Sequence, residues 1–302
     1  MKKIPRIGID LGGTKIAGIA LDLNNQSLAE HRIAAPRHDY SATISAICEL
    51  VARLRQETSP SATVGIGTPG SLSPQTGLMQ NANSTWLNGK PFKTDLEAAL
   101  GTPVRMANDA DCFALSEATD GAGAGCRSVF GVILGTGCGG GFVSDGQLLS
   151  GPHGISGEWG HTPLPWMNAP EFPGLECWCG RRGCLETWIS GSALEADHER
   201  RTGEALGGPQ IAAQAAKGDS GAQETLRQHV SRLARGLAMI VNIVDPEIIV
   251  LGGGLSQMAH LYEQVPELMA RWIFSDTPNP RIVPPRFGDA SGVRGAAWLW
   301  NG

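Results

Sequence analysis

Three apolar runs in this sequence end on glycine-rich turns: "GIDLGGTK" at residues 8–15, "VILGTGCGGG" at 132–141 and "IIVLGGGLS" at 248–256. β-Branched residues before a glycine cluster predict a buried strand that stops where the chain must bend sharply or admit a ligand against its backbone. After the first two turns a second strand-like run follows directly, "KIAGIALDL" and "GFVSDGQLL". A strand–turn–strand unit is therefore written twice, which predicts an internal duplication. Helical spacing of apolar residues marks "ATISAICELVARLRQ", "FKTDLEAAL" and the long run through Leu226, Val230, Leu233, Leu237, Ile240 and Val244, which Asp245 and Pro246 should stop. Strands alternating with helices predict an α/β chain of two related lobes with a ligand cleft between them.

The turns themselves narrow the chemistry. A Walker A loop requires G-x-x-x-x-G-K-[ST], and the one "GK", Gly89-Lys90, is followed by Pro91. Gly135 to Gly140 does satisfy G-x-G-x-x-G, but a dinucleotide fold needs a helix at once afterwards, and "GFVSDGQLL" reads as a strand. What remains is a set of backbone N–H nests suited to phosphate oxygens. Asp10, at a strand end before two glycines, is placed to hold a hydrated Mg²⁺ beside them. Such turns also serve simply as hairpin connections.

Three of the seven cysteines crowd into "CWCGRRGCL": Cys177, Cys179 and Cys184. Thiols so close in a chain without a paired disulfide pattern point to a metal. One histidine would complete a closed tetrahedral Zn²⁺ site, and His161, His153 and His198 are the candidates. The formal net charge of −5, with no basic block beyond "HERR" and "GRR", provides no footprint for nucleic acid. No apolar run approaches the ~18 residues of a membrane span, and the opening lysines precede a strand rather than a signal core. A cytoplasmic protein without membrane partners is expected.

In order along the chain, "GIDLGGTK", "LGTGCGGG", "GEWGH", "CWCGRRGCLE" and "VLGGGLS" resemble the ROK family (repressors, open reading frames, kinases) of the sugar kinase, actin and heat-shock ATPase superfamily. Within it, "NANSTWLNG" and "GEWGHTPLPW" are most similar to proteobacterial fructokinases, also called manno(fructo)kinases. The resemblance implies a two-lobed actin-like (ribonuclease H-like) ATPase fold. Residues 1–117, completed by a C-terminal helix near 292–302, would form one lobe, and residues 118–291, with a zinc loop at 161–184, the other.

The activity so implied is transfer of phosphate from ATP to a hexose, D-fructose giving fructose 6-phosphate, by a homodimer using Mg²⁺ and structural Zn²⁺. Glucose, mannose, or a regulator without a DNA reader are the alternatives. Repressors of the family carry a helix-turn-helix before the phosphate motif, which here begins at Gly8, so a kinase is expected. Carried over residue by residue, ATP and Mg²⁺ fall to Gly8, Ile9, Asp10, Leu11, Gly12, Gly13, Thr14 and Lys15; to Gly135, Thr136, Gly137, Cys138, Gly139, Gly140, Gly141 and Phe142; and to Gly252, Gly253 and Gly254. Sugar binding falls to Asn108, Asp109, Glu158, His161 and Glu186, with Asn83 and Gly70 weaker matches, and His161 becomes the fourth metal ligand. Asp109, matching the family's "ND" aspartate, would accept the hydroxyl proton, a position that also suits an ordinary N-cap. Asp111, two residues on, would be turned away.

Overall fold

The computed structural model describes residues 4–300, in two units. The ends of the expected first lobe, residues 1–3 and 301–302, lie outside the described residues.

The first unit takes in residues up to Gly125 together with Gly141–Gly157 and the chain from Asp289 onward. Strands β1 (Arg6–Leu11) and β2 (Lys15–Leu21) form the hairpin expected at the first turn, with Asp10 opposite Ala17. The edge strand β3 (Ser27–Ala34) extends β2, and β4 (Thr63–Thr68) and β7 (Val104–Asn108) add parallel strands on the other side, in the order β3-β2-β1-β4-β7. A small ribbon pairs β5 (Ser71–Leu72) with β6 (Met79–Gln80). Ile7, Ile9, Val64 and Ile66 are fully buried against helix α1 (Tyr40–Glu57) and its neighbours, each contributing roughly 1.5–3 kcal/mol of apolar burial. Helix α2 (Phe92–Leu100) closes that core through Phe92 and Leu96.

On the same sheet lie α3 (Asp109–Thr119) and the C-terminal helix α9 (Ser291–Trp298). Their approach is set by missing side chains. A methyl on Gly8 would overlap the Val293 carbonyl, one on Gly65 the Ala296 carbonyl, and one on Gly295 the Cys112 carbonyl. Gly8 therefore seats a helix on the sheet.

The second unit comprises Cys126–Gly140 and Glu158–Gly288. The second five-stranded sheet, β10-β9-β8-β11-β12, repeats the order of the first, with β11 (Ile248–Gly252) parallel to β8 (Ser128–Leu134) as β4 is to β1. Here β9 is Cys138–Ser144, β10 Gln147–Leu148 and β12 Ile282–Val283. Strand β9 starts in this unit, and from Gly141 its residues group with the first, a division that reading strands in chain order does not reach.

Helices α4 (Glu186–Ile189), α5 (Gly191–Thr202), α6 (Gly208–Ala216), α7 (Ser220–Val244) and α8 (Ala259–Met269) complete the unit. Helix α7 ends where expected, at Asp245 in a left-handed conformation. Twice-used sheet order with this strand direction is the ribonuclease H-like arrangement of actin-like ATPases. No helix among the described residues is long and apolar enough to cross a membrane.

Candidate active site

In the first unit the expected residues fall into two groups. Gly12 N–H donates to the Lys15 carbonyl at 3.0 Å, and this tight turn leaves Gly13, Thr14 and Lys15 exposed. Asp10 stands just before it. Burial pushes its carboxyl up to about 6, against the lowering influence of Arg32. A carboxylate so desolvated gains from a nearby cation, which fits a divalent ion at this position. Gly8, Ile9 and Leu11, grouped with this turn by the motif, belong instead to β1: Ile9 and Leu11 are core, and Gly8 seats α9.

The second group starts α3. Asn108 is its N-cap, accepting the Ala110 N–H at 2.9 Å and donating through Nδ2 to the Gly70 carbonyl at 3.3 Å. Asp109, the first helical residue, also accepts the Ala110 N–H, at 2.8 Å. Gly70, at φ 73°, has no room for a side chain, since a Cβ would lie 2.6 Å from Ala82 N. Asn83, next after the buried Ala82, is exposed.

In the second unit the turn joining β8 to β9 meets Glu186. The carboxylate Oε2 accepts the Cys138 N–H at 3.0 Å, and a methyl on Gly137 would sit 2.7 Å from that oxygen. Gly137 thus lets a carboxylate rest on the turn, and the Cys138 N–H is given to Glu186. Trp178 Nε1–H donates to the other oxygen, Oε1, at 2.6 Å. Glu158 is raised above the usual carboxylate range by burial, with His161 lowering it and Glu186 raising it further. Gly140, Gly141 and Phe142, which the motif assigns to the nucleotide, are residues of strand β9; Gly140 packs tightly on Phe130 and Trp159. Gly139 lends its carbonyl to the Trp159 indole at 3.0 Å.

Gly135, Thr136 and Gly254 line one cavity of about 720 Å³, within the roughly 300–1,000 Å³ of small-molecule sites. Gly252 ends β11, and Gly253 presses on the Leu134 carbonyl, so Gly254 is the one of the three that reaches this space. Ser192, Glu195, Pro209 and Met258 are among the other residues of its wall.

His161 joins the three cysteines. Cys177 Sγ is 3.6 Å from His161 Nδ1, and Cys179 Sγ is 3.6 Å from Cys184 Sγ. All four ligand atoms lie within 4.8 Å of one another. A tetrahedron with metal–sulfur bonds of about 2.3 Å has edges of about 3.8 Å, so the set fits Zn²⁺ with no open position. His198 is engaged elsewhere, 3.1 Å from Thr225 Oγ1. The loop between the ligands is anchored from α7, where Arg235 grips Glu171 with both guanidinium arms at 2.7 and 2.8 Å and Arg232 adds a third contact at 3.1 Å.

Residues 6–302 match the ROK family. The chain belongs to that family. An N-acetyl-D-glucosamine kinase of Salmonella paratyphi B is 40% identical over 97% of this chain and 98% of its own length. Among solved structures, a ROK hexokinase from Thermus thermophilus superposes with a TM-score of 0.86 at 31% identity, over 98% of this chain and 97% of that one. A ROK glucokinase from Streptomyces griseus, in complex with glucose and AMPPNP, gives 0.79 at 29% identity over 98% of both chains.

Set in the ROK family, the residues sequence reasoning missed are instructive. Trp178 carries no motif of its own, its neighbours Cys177 and Cys179 taking all the notice. Ser192 and Glu195 come from helix α5, whose charge-bearing sequence carries weak periodicity, and Pro209 from the short helix α6. From the sequence, the motif residues Gly135, Thr136 and Gly254 pointed to this cavity.

Proposed function

We propose that this protein is an ATP-dependent sugar kinase whose acceptor is N-acetyl-D-glucosamine, phosphorylated on its 6-hydroxyl. The single observation that carries the reading is Glu186, held at both oxygens beside the β8–β9 glycine turn, in a chain 40% identical over nearly all its length to N-acetyl-D-glucosamine kinases. D-Fructose is the competing acceptor, favoured by the likeness of "NANSTWLNG" and "GEWGHTPLPW" to fructokinases. Two short stretches weigh less than identity spread over 296 residues.

In this reading Glu158, His161, Glu186 and Asn108 hold the sugar, because each hydroxyl both donates and accepts. The exposed turn at Gly12–Lys15 and the cavity at Gly135, Thr136 and Gly254 serve ATP. As the sugar oxygen bonds to the γ-phosphorus and the bond to ADP breaks, Asp109 takes the hydroxyl proton. Mg²⁺ near Asp10 would supply charge neutralisation on the phosphates. His161, Cys177, Cys179 and Cys184 would hold Zn²⁺, which orders the sugar side through His161.

The test is a panel of N-acetyl-D-glucosamine, fructose, glucose and mannose with Mg·ATP, read by ADP release. The expected order places N-acetyl-D-glucosamine first by kcat/KM. Fructose first would replace the acceptor and keep the kinase; ADP release that ignores every sugar would remove both.

A further inference from the structure

The metal loop contains one side chain that metal binding does not require. Trp178 lies between ligands Cys177 and Cys179, where only thiolates on either side are needed, and it is 67% exposed. An indole left in water at that place must be held there by something other than burial. Its ring stands edge-on to His161, centroids 5.0 Å apart at 84°, and its N–H donates to Glu186 at 2.6 Å.

Glu186 is thereby clasped from two separate segments: Oε1 by the indole of the metal loop, Oε2 by the Cys138 N–H of the glycine turn. A carboxylate offers about four lone-pair sites, so about two remain, and these can only accept. A glutamate unclasped at Oε1 would keep only the Cys138 N–H contact at Oε2, could turn about it, and would have to be ordered each time a ligand binds. The indole removes that freedom beforehand and ties the carboxylate to the same ring system that packs on His161.

We propose that Trp178 is a positioning residue for sugar binding, presenting Glu186 to the hydroxyls of the acceptor; this rests on the reading of Glu186 as a sugar ligand given above. Phenylalanine keeps the ring and its edge contact with His161 but cannot donate. Trp178→Phe should therefore raise the KM for the best sugar by roughly 3- to 10-fold, with ATP KM and bound zinc unchanged. An independent readout comes from the Trp178 indole N–H resonance, identified by its loss in W178F, which should move upfield in Glu186→Gln as its charged acceptor disappears.

A W178F enzyme whose sugar KM stays within twofold of wild type would overturn the proposal. Loss of zinc, or an equal rise in ATP KM, would do so as well, because the residue would then serve the loop and not the carboxylate. An indole resonance indifferent to E186Q would likewise refute the contact. The wild-type control separates the two readings: if it phosphorylates no sugar, the kinase assignment fails and takes this proposal with it, whereas an active wild type with an unaltered W178F removes this proposal alone.

Discussion

Asp109 owes its position to a local rule and its proposed role to the motif around it. Asn108 caps α3 by accepting the Ala110 N–H, and the following residue must then sit in the first helical turn. Replacing Asp109 by Asn keeps shape and cap while removing the proton acceptor. Asp109→Asn is expected to lower kcat by on the order of 10² to 10⁴, with sugar and nucleotide KM within a few fold. Asp111→Asn, two residues further into the same helix, should change little; equal losses in both would reassign the base. At this scale legibility was uneven. Asp10, Asp109 and Glu186 were visible in motifs, whereas the Trp178 contact was not, since a hydrogen bond across eight residues of irregular loop leaves no periodic trace.

The loop from His161 to Cys184 has little regular structure and is tied at several points. Its four donor atoms gather at one end, while Glu171 in its middle is 2% exposed and paired with Arg235 and Arg232. Breaking a buried pair of this kind typically costs about 3–5 kcal/mol, so the middle of the loop has support independent of metal. Cys179→Ser should then loosen Cys177–Cys184 in hydrogen exchange while Asn168–Phe172 stays protected, abolish the roughly one Zn²⁺ per chain expected by metal analysis, and impair sugar KM and kcat. Nucleotide binding should change little, since Gly135, Gly254, Ser192 and Pro209 lie on other segments of the unit. A metal-free preparation with full activity, or ATP affinity failing before sugar affinity, would show that the cysteines do not serve the sugar side. The cysteine spacing made the candidate ligand set legible; the Glu171 anchor was not, because its partners lie 61 and 64 residues away.

At the scale of the whole molecule, stability should carry a mark of His229. This histidine is 1% exposed and donates Nε2–H to the Ile189 carbonyl at 3.0 Å. Burial pushes its pKa down to about 4; the Ile189 bond and Asp197 oppose this, and His260 and Arg232 add to it. Between that value and the unfolded pKa of about 6.5 the unfolded chain binds more protons, so the contribution is complete above about 6.5 and is lost as pH falls. Asp10, pushed up to about 6, acts in the opposite sense over much of the same window, which masks the effect in wild type alone. The difference in unfolding free energy between wild type and His229→Gln should therefore shrink by about 3 kcal/mol from about pH 7 to about pH 4. Parallel curves would refute it.

Sequence alone determined the strand-and-turn units, their duplication, the long helix and its stop at Asp245, and the cysteine cluster, because each is a short-range pattern of apolar period, glycine or thiol spacing. Edge strand β3 escaped notice because its half-buried face mixes Ala29 and Ile33 with His31 while its exposed face carries Leu28 and Ala34, so apolar residues do not alternate along the sequence. Tertiary structure decided what each glycine is for: Gly8 admits helix α9, Gly137 admits Glu186, and Gly254 opens on a cavity. All three look alike in the chain. A missing side chain acquires meaning only from the atoms that occupy its place, and those atoms come from parts of the chain far away in sequence.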